Sequence, residues 1–179
     1  MTKWRKLPAS WLLTPFVLLF FFLAVDSMVD DSPTMDEQNH IGRGIAFVKT
    51  GDPRLSLEHP PLVNGMSALP LITMSDLKVP FDHPSWDLQP PDVYWYAFAN
   101  QLVWQLGNDV TKMMFLSRLQ VVFLTLGLAL VGFHWAGQLW KRPFTHHLTF
   151  LFILFDPKVL ANGRYVTTDL GGTLFIFLA

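Results

Sequence analysis

Leu119–Leu139 reads LQVVFLTLGLALVGFHWAGQL, 21 residues without a single charged side chain. At 1.5 Å per residue such a helix covers about 31 Å, the thickness of a bilayer's hydrocarbon core. His134 and Gln138 fall near its end, where polar side chains reach the interface, and Lys141-Arg142 follows at once. Met113–Arg118 extends the run backwards, so a span over 113–140 is expected.

Similar runs lie on either side. Pro8–Val25 is apolar and is preceded by Lys3, Arg5 and Lys6. A basic start before a short apolar core also fits a cleaved signal peptide. The later runs already make this a membrane chain, so 8–25 is read as a retained first span. Residues 143–155 form a third, short run that crosses only with help from neighbours or a thinned bilayer. A fourth opens at Leu170 and reaches Ala179, too short to cross by itself, and is read as the start of a truncated span. Basic residues favour the cytoplasmic side. The two basic clusters then place the N-terminus and the 141–142 loop in the cytoplasm, and loops 26–112 and 156–169 outside.

Composition agrees with that class. Of 179 residues 51% are hydrophobic and 15% charged, with 16 Phe and 7 Trp, an apolar and interfacial balance. A net charge of −1 without a basic stripe gives no case for nucleic acid. The absence of cysteine removes disulfides, thiol nucleophiles and cysteine-based zinc sites. The expected architecture is an all-α, multi-pass membrane protein with a long extracytoplasmic loop containing interfacial helices.

That loop is too long for a passive connection. Ile41, Ile45 and Val48 recur at helical spacing and Gly51 supplies a C-terminal stop. Asp36 is read as the N-cap of this helix, which would aim its carboxylate rigidly. Pro60–Met74 is apolar but broken by Pro and Gly, suiting a segment along the interface. Lys78–Asp92 shows no element. Val93–Leu106, with Tyr94, Trp95, Tyr96, Phe98 and Trp104, reads as an aromatic interfacial helix.

Three groups could carry chemistry on the outer side. Asp36-Glu37 follows the first span. His59 precedes Pro60-Pro61, which fix the backbone after it. Arg164 and Asp169 flank the fourth apolar run, and a guanidinium there suits a phosphate head group through its fork of donors. Each has an ordinary reading as well, as a helix cap, a loop histidine and loop polarity. His146-His147 falls on the cytoplasmic side and is read as interfacial. Together the outer residues fit a substrate with an apolar tail and an anionic head. A carboxylate would orient or deprotonate an acceptor, or hold a metal, while Arg164, His59 or a divalent ion stabilises a departing phosphate.

The order Asp36-Glu37, Gly51-Asp52, Glu58-His59-Pro60-Pro61-Leu62 and Leu160–Asp169 resembles the N-terminal part of GT-C glycosyltransferases. The nearest group in that likeness comprises protein O-mannosyltransferases and aminoarabinose transferases. The resemblance implies a membrane enzyme that moves a sugar from a polyprenyl-phosphate donor to a protein, lipid or glycan acceptor. It implies Asp36 as the catalytic carboxylate, Asp169 as a second acidic residue and Glu37 as support. His59 and Arg164 would face phosphate, and a divalent metal ion is a candidate cofactor, with Asp36, His59 and Asp169 as candidate ligands. Two other classes compete. One is a non-catalytic membrane transport or assembly protein whose outer loop binds lipid head groups. The other is a membrane metallohydrolase using His59 with the carboxylates.

Overall fold

The computed structural model describes residues 12–87 and 95–179. Among these the regular elements are all helical. They are α1 (Thr14–Val29), α2 (Met35–Thr50), α3 (Pro61–Ala68), α4 (Pro84–Asp87), α5 (Trp95–Asn100), α6 (Val110–Leu139), α7 (Pro143–Leu154), α8 (Pro157–Asn162) and α9 (Asp169–Leu178). A 3₁₀ turn, Leu69–Thr73, continues α3, and a π turn, Gln101–Gln105, continues α5.

α6 organises the rest. Its 30 residues make it the one described helix long and apolar enough to cross a membrane. It starts three residues before the expected 113 because Gly107 turns the chain at φ 70° and the Asp109 side chain accepts from Lys112 N. Both devices open a helix at that point. The other apolar helices, α1, α7 and α9, are each shorter than 18 residues. Residues 8–11 of the expected first span lie outside the described part.

α1, α3, α7 and α9 all pack against α6. Phe20, Ala24 and Met28 of α1 close on Val122 and Ala129 of α6 and on Phe150 and Leu154 of α7. Gly132 lets α7 come close, since a Cβ there would sit 2.3 Å from Ile153 Cδ1. On the other side Leu174 of α9 meets Val63 of α3 and Leu124 and Leu128 of α6. The outward faces stay apolar: Leu18, Leu19 and Phe22 on α1, Phe152 on α7, Ile176 and Phe177 on α9 are all exposed.

The described residues of 26–112 fold back over the N-terminal half of α6. Ile41 and Ile45 of α2, Leu71, Leu102 and Val103 form one apolar cluster with Met113, Met114 and Val121 of α6. Each fully buried aliphatic side chain of this kind contributes about 1.5–3 kcal/mol. α2 and α3 touch backbone to backbone: a Cβ on Gly44 would lie 2.1 Å from Asn64 O. Gly51, at φ 74°, ends α2 as the sequence suggested.

The long loop carries further elements. α3 and the 3₁₀ turn after it pack on α2 and α6, with Val63, Asn64, Ser67, Ala68 and Leu71 buried. Only Leu62, Leu69 and Ile72 form an exposed apolar edge. Lys78–Asp92 contains the single turn α4, with 88–92 outside the described residues. The aromatic segment, described from Trp95, buries Phe98 and leaves Tyr96 and Trp104 exposed. Loop 156–169 contains α8, capped by Asp156.

Candidate functional site

The start of α2 is closed by Thr34, not by Asp36. Thr34 Oγ1 accepts from Glu37 N and Glu37 Oε2 accepts from Thr34 N, a reciprocal capping box. The expected cap at Asp36 therefore moves two residues back, and Asp36 sits inside the first turn with its carboxylate exposed. A threonine three residues before a glutamate satisfies both end groups at once, which a lone Asp36 could not.

Glu37, the neighbour expected to support Asp36, is engaged within the fold. It is fully buried and paired with Arg118 of α6 at 2.8 Å. Oε1 accepts from Arg118 Nε at 2.8 Å and from Val166 N at 3.2 Å; Oε2 accepts from Arg118 Nη2 at 2.8 Å. Arg118 also donates to the carbonyls of Met28, Asp31 and Ser32, so all five of its N–H groups are used. Burial alone pushes the Glu37 carboxyl up. The Arg118 bond, the Thr34 and Val166 N–H groups and the Arg118 charge outweigh it and hold the carboxyl below its usual value. With both oxygens committed and no exposure, Glu37 ties α2, α6, the end of α1 and residue 166 together. It also fixes the helical turn that carries Asp36.

The open part of the site lies one turn along. Asp36, His40 and Arg43 recur at helical spacing on α2, so they share a face. His40 is buried, with Nδ1 2.9 Å from Asn64 Oδ1 of α3. Burial holds His40 below its usual pKa, Arg43 and His59 push the same way, and Asn64 and Asp36 oppose them. The rings of His40 and His59 are 5.2 Å apart. His59, half-buried, brings Nδ1 to 3.4 Å from Thr168 Oγ1, which adjoins the exposed Asp169 opening α9. His59 thus lies between His40 of α2 and Thr168, with Asp36 one helical turn before His40. Arg43 is occupied by Glu58 at 3.1 Å and lies over Trp95. A surface recess of about 590 Å³, lined by Asp52–Arg54 and Ser56–Pro61, opens beside His59.

Arg164 is held at the end of α1. Its guanidinium pairs with Asp31 at 2.8 Å, contacts Ser27 Oγ and donates to Tyr165 OH at 2.8 Å. Tyr165 OH in turn donates to Asp31 Oδ2 at 2.9 Å. Arg164 Nε is buried without a hydrogen-bond partner. A cleft of about 590 Å³ runs past Met28–Pro33, Trp104, Asp109–Lys112 and Arg118. Asp31 is in its wall.

No group of three or more His, Cys, Asp or Glu side chains is placed to hold a metal among the described residues. Asp36, His59 and Asp169 do not form a complete ligand set there. His146 and His147 stack at 4.8 Å against Phe133 of α6, a packed pair apart from the residues above.

Arg118, His40, Asn64 and Asp31 carry much of this arrangement without having been singled out. One signal was available for Arg118: a lone charge at the edge of the longest apolar run marks a paired or functional group. In comparisons with protein-family models, with curated proteins and with solved structures, nothing matches this chain.

Proposed function

We propose that the protein is a multi-pass membrane glycosyltransferase that moves a sugar from a polyprenyl-phosphate donor to a protein, lipid or glycan acceptor at the extracytoplasmic face. One observation carries the reading. His59 stands between Thr168, which adjoins Asp169, and His40, one turn after Asp36, at the edge of an apolar helical assembly. Exposed apolar side chains on α1, α7 and α9 support embedding of those helices beside α6. The two basic clusters of the sequence support the sidedness.

In this reading the exposed Asp36 carboxylate accepts the acceptor's hydroxyl proton as that oxygen bonds to the sugar's anomeric carbon. The bond from that carbon to the phosphate oxygen breaks, and polyprenyl phosphate leaves with the electron pair. His59 and Arg164 offset the charge that builds on the phosphate. Asp169 serves as the second carboxylate, orienting the acceptor. Glu37 and Arg118 keep the first turn of α2 in place.

The test is transfer from a radiolabelled polyprenyl-phosphate sugar in proteoliposomes. Asp36→Asn and Asp169→Asn each lower the rate by about 10²-fold or more, the scale of losing a positioned acid or base, while insertion and unfolding temperature stay as in the wild type. Transfer that survives both substitutions refutes the assignment.

A further inference from the structure

Two arginines act on one short segment, the 28–33 turn that leaves α1, and they act differently. Arg118 holds its main chain, donating to Met28 O, Asp31 O and Ser32 O, and is 1% exposed. Arg164 holds only the Asp31 side chain. That pair sits at an edge, with Asp31 35% and Arg164 12% exposed. Arg164 is also incompletely satisfied, since its Nε has no partner although a guanidinium offers five donors. The Asp31 backbone is therefore pinned, while its carboxylate can turn into the adjoining cleft by side-chain rotation alone.

We propose that Asp31 is an internal stand-in for an anionic head group: one of its carboxylate oxygens engages Arg164 Nη2, and a phosphate oxyanion binds by displacing it. The inference rests on the reading of Arg164 as a phosphate-facing residue and adds the residue that regulates access to it. A carboxylate and a phosphate oxygen pair present the same acceptor geometry to a guanidinium. Tyr165 belongs to the same device, because its hydroxyl donates to Asp31 Oδ2 and accepts from Arg164 Nη2. It steadies the carboxylate in the resting state. Released, Asp31 enters a cleft that also holds Lys112, so a cation is available in the same space. The Glu37–Arg118 pair cannot exchange in this way, since every donor and both oxygens are committed and buried.

The experiment is equilibrium binding to the purified full chain in detergent, read by tryptophan fluorescence. Farnesyl phosphate, inorganic phosphate and farnesol are the probes, and no sugar is present. Asp31→Asn removes the competing charge and tightens farnesyl phosphate by roughly fivefold, the scale of a partly exposed ion pair. Tyr165→Phe tightens it less, by roughly twofold. In an Arg164→Gln background Asp31→Asn has no effect, as a shared guanidinium requires. Tightening for inorganic phosphate as well assigns the site to the phosphate group, whereas tightening for farnesyl phosphate alone assigns it to lipid phosphates; either outcome supports the exchange. Unchanged or weaker binding in both Asp31→Asn and Tyr165→Phe, equal tightening for farnesol, or an Asp31→Asn effect that persists without Arg164 overturns it. Sugar transfer is not measured, so failure of the transferase reading, seen as absent Asp36-dependent transfer, is distinguishable from failure here.

Discussion

Replacing Arg118 by methionine tests the hub most directly, because the substitution keeps length and apolar stem while removing the charge and five donors. Three backbone carbonyls, those of Met28, Asp31 and Ser32, lose their partner, and Glu37 is left as a buried carboxylate with only the Thr34 and Val166 N–H groups. Breaking one side of a buried pair costs about 3–5 kcal/mol. For a chain of this size that lowers the unfolding midpoint by about 6–20 °C. The pH dependence adds a sharper mark. In the wild type the Glu37 carboxyl is held below its usual value of 4.5, so the pair's contribution is complete above that pH and is lost as pH falls through the folded value. In Arg118→Met only burial and two N–H bonds remain, the carboxyl's folded value rises, and the variant is penalised most at neutral pH. The difference between the two proteins is therefore largest near pH 7 and narrows toward pH 4. Tryptophan-monitored thermal unfolding in detergent at the two pH values measures it. A loss below about 1 kcal/mol, or one equally large at pH 4, refutes the assignment of Glu37–Arg118 as the tie between α2 and α6. A double Glu37→Met, Arg118→Met variant recovers part of the loss, since no lone buried charge remains.

Other consequences follow from particular contacts. Gly44→Ala places a Cβ 2.1 Å from Asn64 O and 2.8 Å from Ala68 Cβ; it destabilises by about 1–3 kcal/mol and shifts Asn64 away from His40, which histidine NMR in detergent detects as a changed Nδ1 resonance. Thr34→Ala removes one half of the capping box and costs ~1 kcal/mol, but leaves Glu37 on Arg118, so unfolding shifts while Asp36-dependent transfer persists. The chain has no cysteine, so single cysteines report sidedness cleanly: Lys49→Cys reacts with an impermeant thiol reagent added to intact cells, and Lys141→Cys reacts only after lysis. The reverse pattern inverts the orientation proposed from the basic clusters.

Helical character was legible wherever the sequence repeats a simple physical pattern. The uninterrupted apolar run of α6, the Ile41–Ile45 spacing of α2 and the left-handed stop at Gly51 all reappear. Boundaries were less legible because they depend on short polar signals. Thr34 and Glu37 form the capping box, yet the neighbouring Asp36 is as good a cap by residue type, and only the spacing of three to Glu37 separates them. In the 60–74 segment the prolines open and continue a helix, at Pro61 in α3 and at Pro70 in the 3₁₀ turn, where a missing N–H costs nothing.

The site divides along the same line. Sequence position exposes Asp36, His59, Arg164 and Asp169 because each adjoins an apolar run, but it cannot say which charge meets which. Glu37 and Asp36 are adjacent and chemically near-identical, and helix geometry turns them about 100° apart. One faces Arg118 and is buried; the other faces solvent. Partners 81 residues apart, Glu37 and Arg118, or 133 apart, Asp31 and Arg164, have no local signature at all. The fold thus sorts four charges into two kinds. A fully engaged buried pair fixes the 28–33 turn and the start of α2, and a part-exposed pair beside it leaves one guanidinium nitrogen unfilled. Arg118 has every donor taken and is fixed in place, whereas Arg164, paired with a part-exposed carboxylate that lines a cleft, is the cation of the two whose partner can be exchanged.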